Sequence, residues 1–308
     1  MSKIKLGIIG LSEGNGHPYS FSAIINGYDS KEMQASGWTG IFEYLEAKDT
    51  SDFLLNMAEV THVWTQCKEE SLKISKACKI PNICNEIEDM LGKVDAVIIA
   101  RDDYENHFVM AKPFLESGIK VFLDKPLSLN KEELRFFKPY LESGSLMSCS
   151  GLRYARELDN VRSWLKTEEN LKLVRASVVL SWEKYGIHML DALFGMIDFN
   201  VKSVIGTKSK HTSVLLKMTS GTIVHIDALG STVKTFEMSF WSETQRESIE
   251  ISDNFTAFKR TMYHFIKMIE TGKPQIEPLL TISIMKVLIA ANLSIEKNRE
   301  VFLDEITL

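Results

Sequence analysis

The chain has no basic block. Lys and Arg number 36 against 41 Asp and Glu, a net charge of 36 − 41 = −5 over 308 residues. That composition lacks the electrostatic footprint of a nucleic-acid-binding protein. Cysteine is scarce: Cys67, Cys78, Cys84 and Cys149 have no CxxC spacing, so neither a metal ligand set nor a disulfide scaffold is expected. A reducing cytoplasm is the expected compartment. No run reaches the ~18 uninterrupted apolar residues of a bilayer-spanning helix. The opening "MSKIKLGIIG" lacks a long apolar core and a small-residue cleavage site, so neither a secretion signal nor a membrane partner is expected. Repeats and low-complexity tracts are also missing. What remains is 44% hydrophobic and 25% charged, an ordinary globular composition long enough for two domains.

The first part alternates strand and helix. Apolar runs at 4–10, 59–66, 94–100 and 120–124 read as buried strands, and 18–27, 68–80 and 105–118 as the helices between them. Such alternation predicts a parallel, doubly wound sheet. The connection at 28–58 is far longer than the usual ~2–6 residues. A short helix is expected near 41–47, and the insertion is expected on the face opposite the ligand crevice, as an assembly or packing element. From about residue 126 the pattern changes to β-branched runs at 173–182, 202–207, 213–218, 222–229, 236–242 and 247–252, with "TSGT" at 219–222 as a hairpin turn. Helices near 155–165, 186–197, 255–271 and 280–296 are expected to cover that largely antiparallel sheet. The expected domains are therefore 1–125 and 126–308.

Four motifs carry chemistry. "GLSEGNGHPYS" (10–20) follows the first strand, where glycines let a backbone approach a pyrophosphate seated on a helix N-terminus. Gly10, Gly14 and Gly16 are spaced GxxxGxG, not GxGxxG. The loop is thus a phosphate cradle or a plain tight turn. Ser12, Asn15 and His17 can donate hydrogen bonds there or merely cap the helix, while Glu13 would repel a phosphate. The second strand ends in Thr65 and Gln66, not in the acid that grips a ribose, and Lys68 leaves room for a further phosphate. "DKPLS" places Lys125 at a strand end, able to orient a hydroxyl or exchange a proton, unless it is a plain surface lysine. "YGIHMLDALFGM" (185–196) puts His188 and Asp191 on one helix face, a carboxylate–imidazole arrangement or a structural histidine beside a core stripe.

Taken in this order, with "VDAVIIARDDYENHFVMAKPFLESGIKVFLDKPLSLN" (94–130) as the strongest block, these features resemble the glucose–fructose oxidoreductase / inositol dehydrogenase / MocA (Gfo/Idh/MocA) family. The resemblance implies an N-terminal Rossmann domain and a C-terminal α+β domain whose open sheet pairs copies into a homodimer or homotetramer. It implies hydride exchange between NAD or NADP and a hydroxyl of a sugar, sugar acid or nucleotide sugar. By position, Lys125 is the lysine of the family's Glu-Lys-Pro motif, with Asp124 before it and Pro126 after it. His188 is the usual proton acceptor and Asp191 the acid one turn later. His107, Arg101 and Asp102 border the cofactor together with the loop residues, Thr65 and Gln66. Arg153 and its neighbour Tyr154 lie where substrate is bound.

Three departures stand out: the loop is remodelled, the acid after strand two is missing, and Lys184 stands where the family has Asp. Turned inward, Lys184 selects an anionic substrate; turned outward, it is inert. Ser12, Asn15 and His17 are expected to replace backbone contacts to phosphate, with Glu13 turned away. A non-catalytic NAD(P)- or sugar-binding regulator, or non-redox use of a held cofactor, are the alternative readings.

Overall fold

Short apolar runs that bury both faces build the first sheet. The computed structural model describes residues 3–168 and 170–308. Strands β1 (Ile4–Ile9), β2 (Ala58–Trp64), β3 (Asn82–Ile83), β4 (Ala96–Ile99), β5 (Lys120–Leu123) and β6 (Leu146–Ser148) pair in the order β3-β2-β1-β4-β5-β6, every pair parallel. The order reverses between β1 and β4, so the ligand crevice of this topology lies beyond their carboxyl ends. The helices are α1 (His17–Asn26), α2 (Ser30–Ala35), α3 (Thr39–Glu46), α4 (Lys68–Ala77), α5 (His107–Glu116) and α6 (Lys131–Glu142). α1 starts with Pro18 in its first turn and stops at Gly27, whose φ of 74° suits glycine. The sheet runs past the expected boundary at residue 125, because Val121, Phe122 and Leu123 pair with Leu146, Met147 and Ser148.

The insertion departs from expectation. α2 carries the chain back toward the start of α1, and α3 returns beside it. Trp38 and Ile41 pack on Gly16, Tyr44 Oη donates to Ser20 Oγ at 2.5 Å, and Glu46 accepts from Tyr28 and Ser30 near the far end of α1. The insertion therefore reaches the crevice end of the sheet instead of staying at the opposite face.

In the second domain β7 (Leu173–Val178), β8 (Val201–Lys208), β9 (Thr212–Met218), β10 (Ile223–Ala228), β11 (Phe236–Trp241), β12 (Arg246–Glu250) and β13 (Val301–Phe302) form a sheet ordered β12-β11-β7-β10-β9-β8-β13. It is antiparallel except for the β7–β10 pair. Alternate residues such as Val174, Ala176 and Val178 face the core, while Arg175 and Ser177 face away, as expected of a sheet covered on one side. α7 (Asp159–Leu165), α8 (Ile187–Phe194), α9 (Asn254–Thr271) and α10 (Pro278–Lys297) complete the domain. By length and composition α10 could span a bilayer, although Ser283 and Lys286 interrupt its apolar run. Most of it is buried within the protein, with Leu280, Ile284, Leu288 and Ala291 in the core.

α9 joins the two domains. An aromatic chain crosses the seam: Phe21 of α1 meets Phe122 of β5 edge-on at 5.9 Å and Phe258 of α9 at 5.4 Å, and Phe122 meets Phe265 of α9 at 5.6 Å. Phe265 is fully buried. Phe265→Ala is expected to destabilise the chain by about 3–5 kcal/mol, the range for a large-to-small change in a core. Urea unfolding checks this, and a loss within error of zero would show that the seam does not stabilise the fold.

Candidate active site

The parallel ladder continues one residue beyond the strands: Ala100 N–H donates to Ile9 O at 2.9 Å and Asp124 N–H to Ile99 O at 3.0 Å. This fixes Asp102 and Asp124 side by side at the crevice edge. Both carboxylates are buried, at 6% and 2% exposure. Asp124 accepts from Asn15 Nδ2 at 2.9 Å, His17 Nδ1 at 2.5 Å and the Lys125 N–H at 2.8 Å. Burial opposes its ionisation, but His17 and Lys125 beside it and these hydrogen bonds hold its carboxyl well below the usual range. Asp102 accepts from Ser12 Oγ at 2.6 Å and from Lys125 Nζ at 3.3 Å. Lys125, itself buried, also donates to the Lys184 carbonyl at 3.3 Å and lies 4.9 Å from the Tyr185 ring centroid. It is a paired buried cation, not a surface lysine.

The second domain brings His188. A wide π-type turn, Trp182–Gly186, leads into α8 and aims Tyr185 and His188 at the strand ends. His188 Nδ1 lies 2.6 Å from Ser150 Oγ. That hydroxyl already accepts from Leu152 N–H at 3.1 Å and is fully buried, so its own hydrogen goes to His188 Nδ1. The neutral imidazole then carries its hydrogen on Nε2. Burial, with Lys125 and His17 nearby, pushes the His188 pKa well down. Asp191 does not touch the imidazole as the sequence spacing suggested. It accepts from Ser150 N–H at 2.7 Å and Arg153 at 3.3 Å. Burial pushes its carboxyl up to about 6, against the opposing effect of Arg153. Ser150, which no local signal in the sequence marks, is the residue that holds the histidine.

Between these groups lies a cavity of about 850 Å³, within the range of small-molecule sites. Gly14, Asn15, Gly16 and His17 line it from the loop, Asp102 and Lys125 from the strand ends, and Tyr185, His188 and Phe236 from the second domain. The insertion lines it with Trp38, Gly40, Glu43 and Tyr44. Its helix is expected from the sequence, but its direction is not, because nothing local shows that α2 reverses the chain.

Other assigned residues lie elsewhere. Arg153 is consumed by Asp191, and Tyr154 stacks on His264 at 4.4 Å; neither lines the cavity. Lys184 lines a separate surface groove and not this cavity, and its carbonyl accepts from Lys125. Arg101 lies over Gly10 and pairs with Asp103. Gln66 clamps Leu11, Thr65 bonds Ser71 at 2.8 Å, and His107 is buried between the carbonyls of Arg101 and Leu127. Like Pro126, these do not line the cavity. Glu13 is exposed and turned away, as expected. Ser12 and Asn15 do not present their side chains to a phosphate; the two buried carboxylates take them.

A dinucleotide fits part of this crevice. At Gly14 a Cβ would meet nothing within 4 Å, so the backbone beside the start of α1 is open to close approach, while Lys125, Ser12, Asn15 and His17 balance the two carboxylates. The open backbone at Gly14 suits the phosphates, and the strand-end Lys125 suits the nicotinamide end. The space above Gly10, by contrast, is filled by Arg101, and β2 offers no ribose-gripping acid.

Residues 36–147 match the model of the family described as "Oxidoreductase family, NAD-binding Rossmann fold". No curated protein matches the chain in sequence. Among solved structures, apo scyllo-inositol dehydrogenase from Lactobacillus casei is similar at a TM-score of 0.78 and 13% identity, covering 98% of this chain and 99% of that one. Myo-inositol 2-dehydrogenase from Lactobacillus plantarum has the same TM-score at 14% identity, with coverage of 98% and 99%. The Lactobacillus casei enzyme with bound NAD(H) and scyllo-inositol reaches 0.75 at 14%, covering 98% and 100%. At these identities the likeness is one of fold.

The buried neutral imidazole sets a pH dependence. Unfolded, His188 titrates near its ordinary 6.5; folded, its pKa lies well below. A depressed folded pKa contributes stability that is present above the unfolded value and is lost as the pH falls below it. His188→Gln should therefore lose less stability than the wild type between about pH 7 and about pH 5. Urea unfolding at both pH values checks this, and parallel losses in the two proteins would contradict it.

Proposed function

We propose that the chain is an NAD(P)-dependent oxidoreductase of the Gfo/Idh/MocA type acting on a hydroxyl of a sugar-like substrate, a reading supported by the match of residues 36–147 to that family's model. The carrying observation is the convergence of Lys125, Asp102, His17 and His188 on one cavity at the carboxyl edge of the parallel sheet. A bound nicotinamide dinucleotide, NAD or NADP, supplies the hydride chemistry. Gly14 to Gly16, Asp102 and Lys125 are the residues that would hold it.

The chain's own groups have distinct parts. Lys125 is fixed by Asp102, the Lys184 carbonyl and the Tyr185 ring, and orients the substrate oxygen as a cation. His188, kept neutral with its hydrogen on Nε2, donates a hydrogen bond to that oxygen. This revises the role the resemblance implied, since a buried imidazole beside Lys125 is a poor proton acceptor. Trp38, Phe236 and Tyr44 supply apolar walls that limit water in the cavity. Lys184 lines a separate groove and not this cavity, which supports a substrate that this lysine does not select for charge. We further propose that copies pair through the open face of the second sheet, where Leu215, Ile223 and Trp241 are half-buried in the single chain.

A panel of polyols, sugars and sugar acids, followed by nicotinamide absorbance with NAD and NADP, tests the reading. Lys125→Met should lower kcat by about 10²–10³-fold, the range for losing one preorganised donor to a developing oxyanion. Wild-type turnover in Lys125→Met would remove Lys125 from the mechanism.

A further inference from the structure

Two imidazoles face the cavity, and their hydrogen-bond partners set them in opposite states. We propose that His17, held by Asp124, is the catalytic base that takes the substrate's hydroxyl proton. The proposal rests on the functional reading above.

The argument starts from Asp124. Its carboxyl is ionised and offers only acceptors, so the 2.5 Å contact with His17 places the imidazole hydrogen on Nδ1. Nε2 of the neutral ring is then a free lone pair. His17 lines the cavity, and its Nε2 has no protein hydrogen-bond partner among the described residues and is not a buried orphan. Phe21 stacks on the ring at 4.8 Å and Phe258 meets it edge-on at 4.9 Å, which fixes its plane. Asn15 adds rigidity: it donates to Asp124 at 2.9 Å and accepts from His17 N–H at 2.9 Å. A carboxylate behind an imidazole both sets the tautomer and stabilises the imidazolium that proton uptake creates. His188 has a hydroxyl donor in that place, and so presents N–H where His17 presents a lone pair.

The step balances simply. The substrate O–H bond breaks and an N–H bond forms at His17 Nε2, leaving an imidazolium against ionised Asp124. The hydride from the same carbon belongs to the nicotinamide dinucleotide of the functional reading. In the reverse direction His17 returns the proton to the forming alkoxide.

Nitrogen-15 NMR of histidine-labelled wild-type protein reads the tautomers without turnover. The expected result is Nδ1–H with unprotonated Nε2 for His17 in its neutral form, and Nε2–H for His188. His17→Gln should lower kcat by about 10²–10⁴-fold with KM changed only a few-fold. Asp124→Asn should abolish the His17 tautomer preference. An Nε2–H tautomer at His17, or wild-type kcat in His17→Gln, overturns the proposal. If the wild type turns over no panel substrate, the functional reading fails, whereas the tautomer measurement still decides whether His17 is poised as a base.

Discussion

A buried carboxylate organises this site. Asp124 stands one residue past β5, where the backbone ladder holds it beneath the loop that follows β1. An isolated buried carboxylate is costly, and here three donors compensate it: Asn15, His17 and the Lys125 N–H. Those bonds shape the loop, orient the first helix's leading imidazole and set the chain direction that delivers the Lys125 side chain to Asp102. The remodelled glycine loop is the counterpart of this arrangement. Side chains at 12 and 15 stand where a GxGxxG loop has glycine, and both turn inward to strand-end carboxylates.

The site is also a product of two domains. Lys125, Asp102 and His17 come from the parallel sheet and its first helix, whereas His188 and Tyr185 come from the π-type turn and α8. The aromatic chain through Phe21, Phe122 and α9 keeps those parts in register. Proximity of this kind, held by packing instead of by flexible loops, is what positions a hydroxyl for transfer. The insertion adds a third wall by running beside α1, so Trp38 and Tyr44 belong to the same cavity.

Much of the fold was legible because periodicity is a local property. The runs at 4–10, 59–66, 94–100 and 213–218 became strands within two or three residues of their expected ends, and the hairpin at 219–222 formed. The short strand at Leu146–Ser148 was missed because three residues carry no period. Motif positions were legible to the level of the residue but not of the contact. Lys125 and His188 meet at one cavity, while Arg153, Tyr154 and the Lys184 side chain do not. Such outcomes depend on which buried partner satisfies each charge: Arg153 was claimed by Asp191, and Arg101 by Asp103. No spacing in one sequence encodes that competition. The direction of the insertion depends likewise on a six-residue helix, α2, that has too little pattern to read.

The central claim is that this reshaped crevice still holds a nicotinamide dinucleotide beside Lys125. Direct titration of NADH and NADPH into the purified protein, followed by nicotinamide fluorescence, tests it without a substrate. The account predicts saturable binding of at least one of them at micromolar concentration. No change in fluorescence with either one, up to high micromolar concentration, would contradict it.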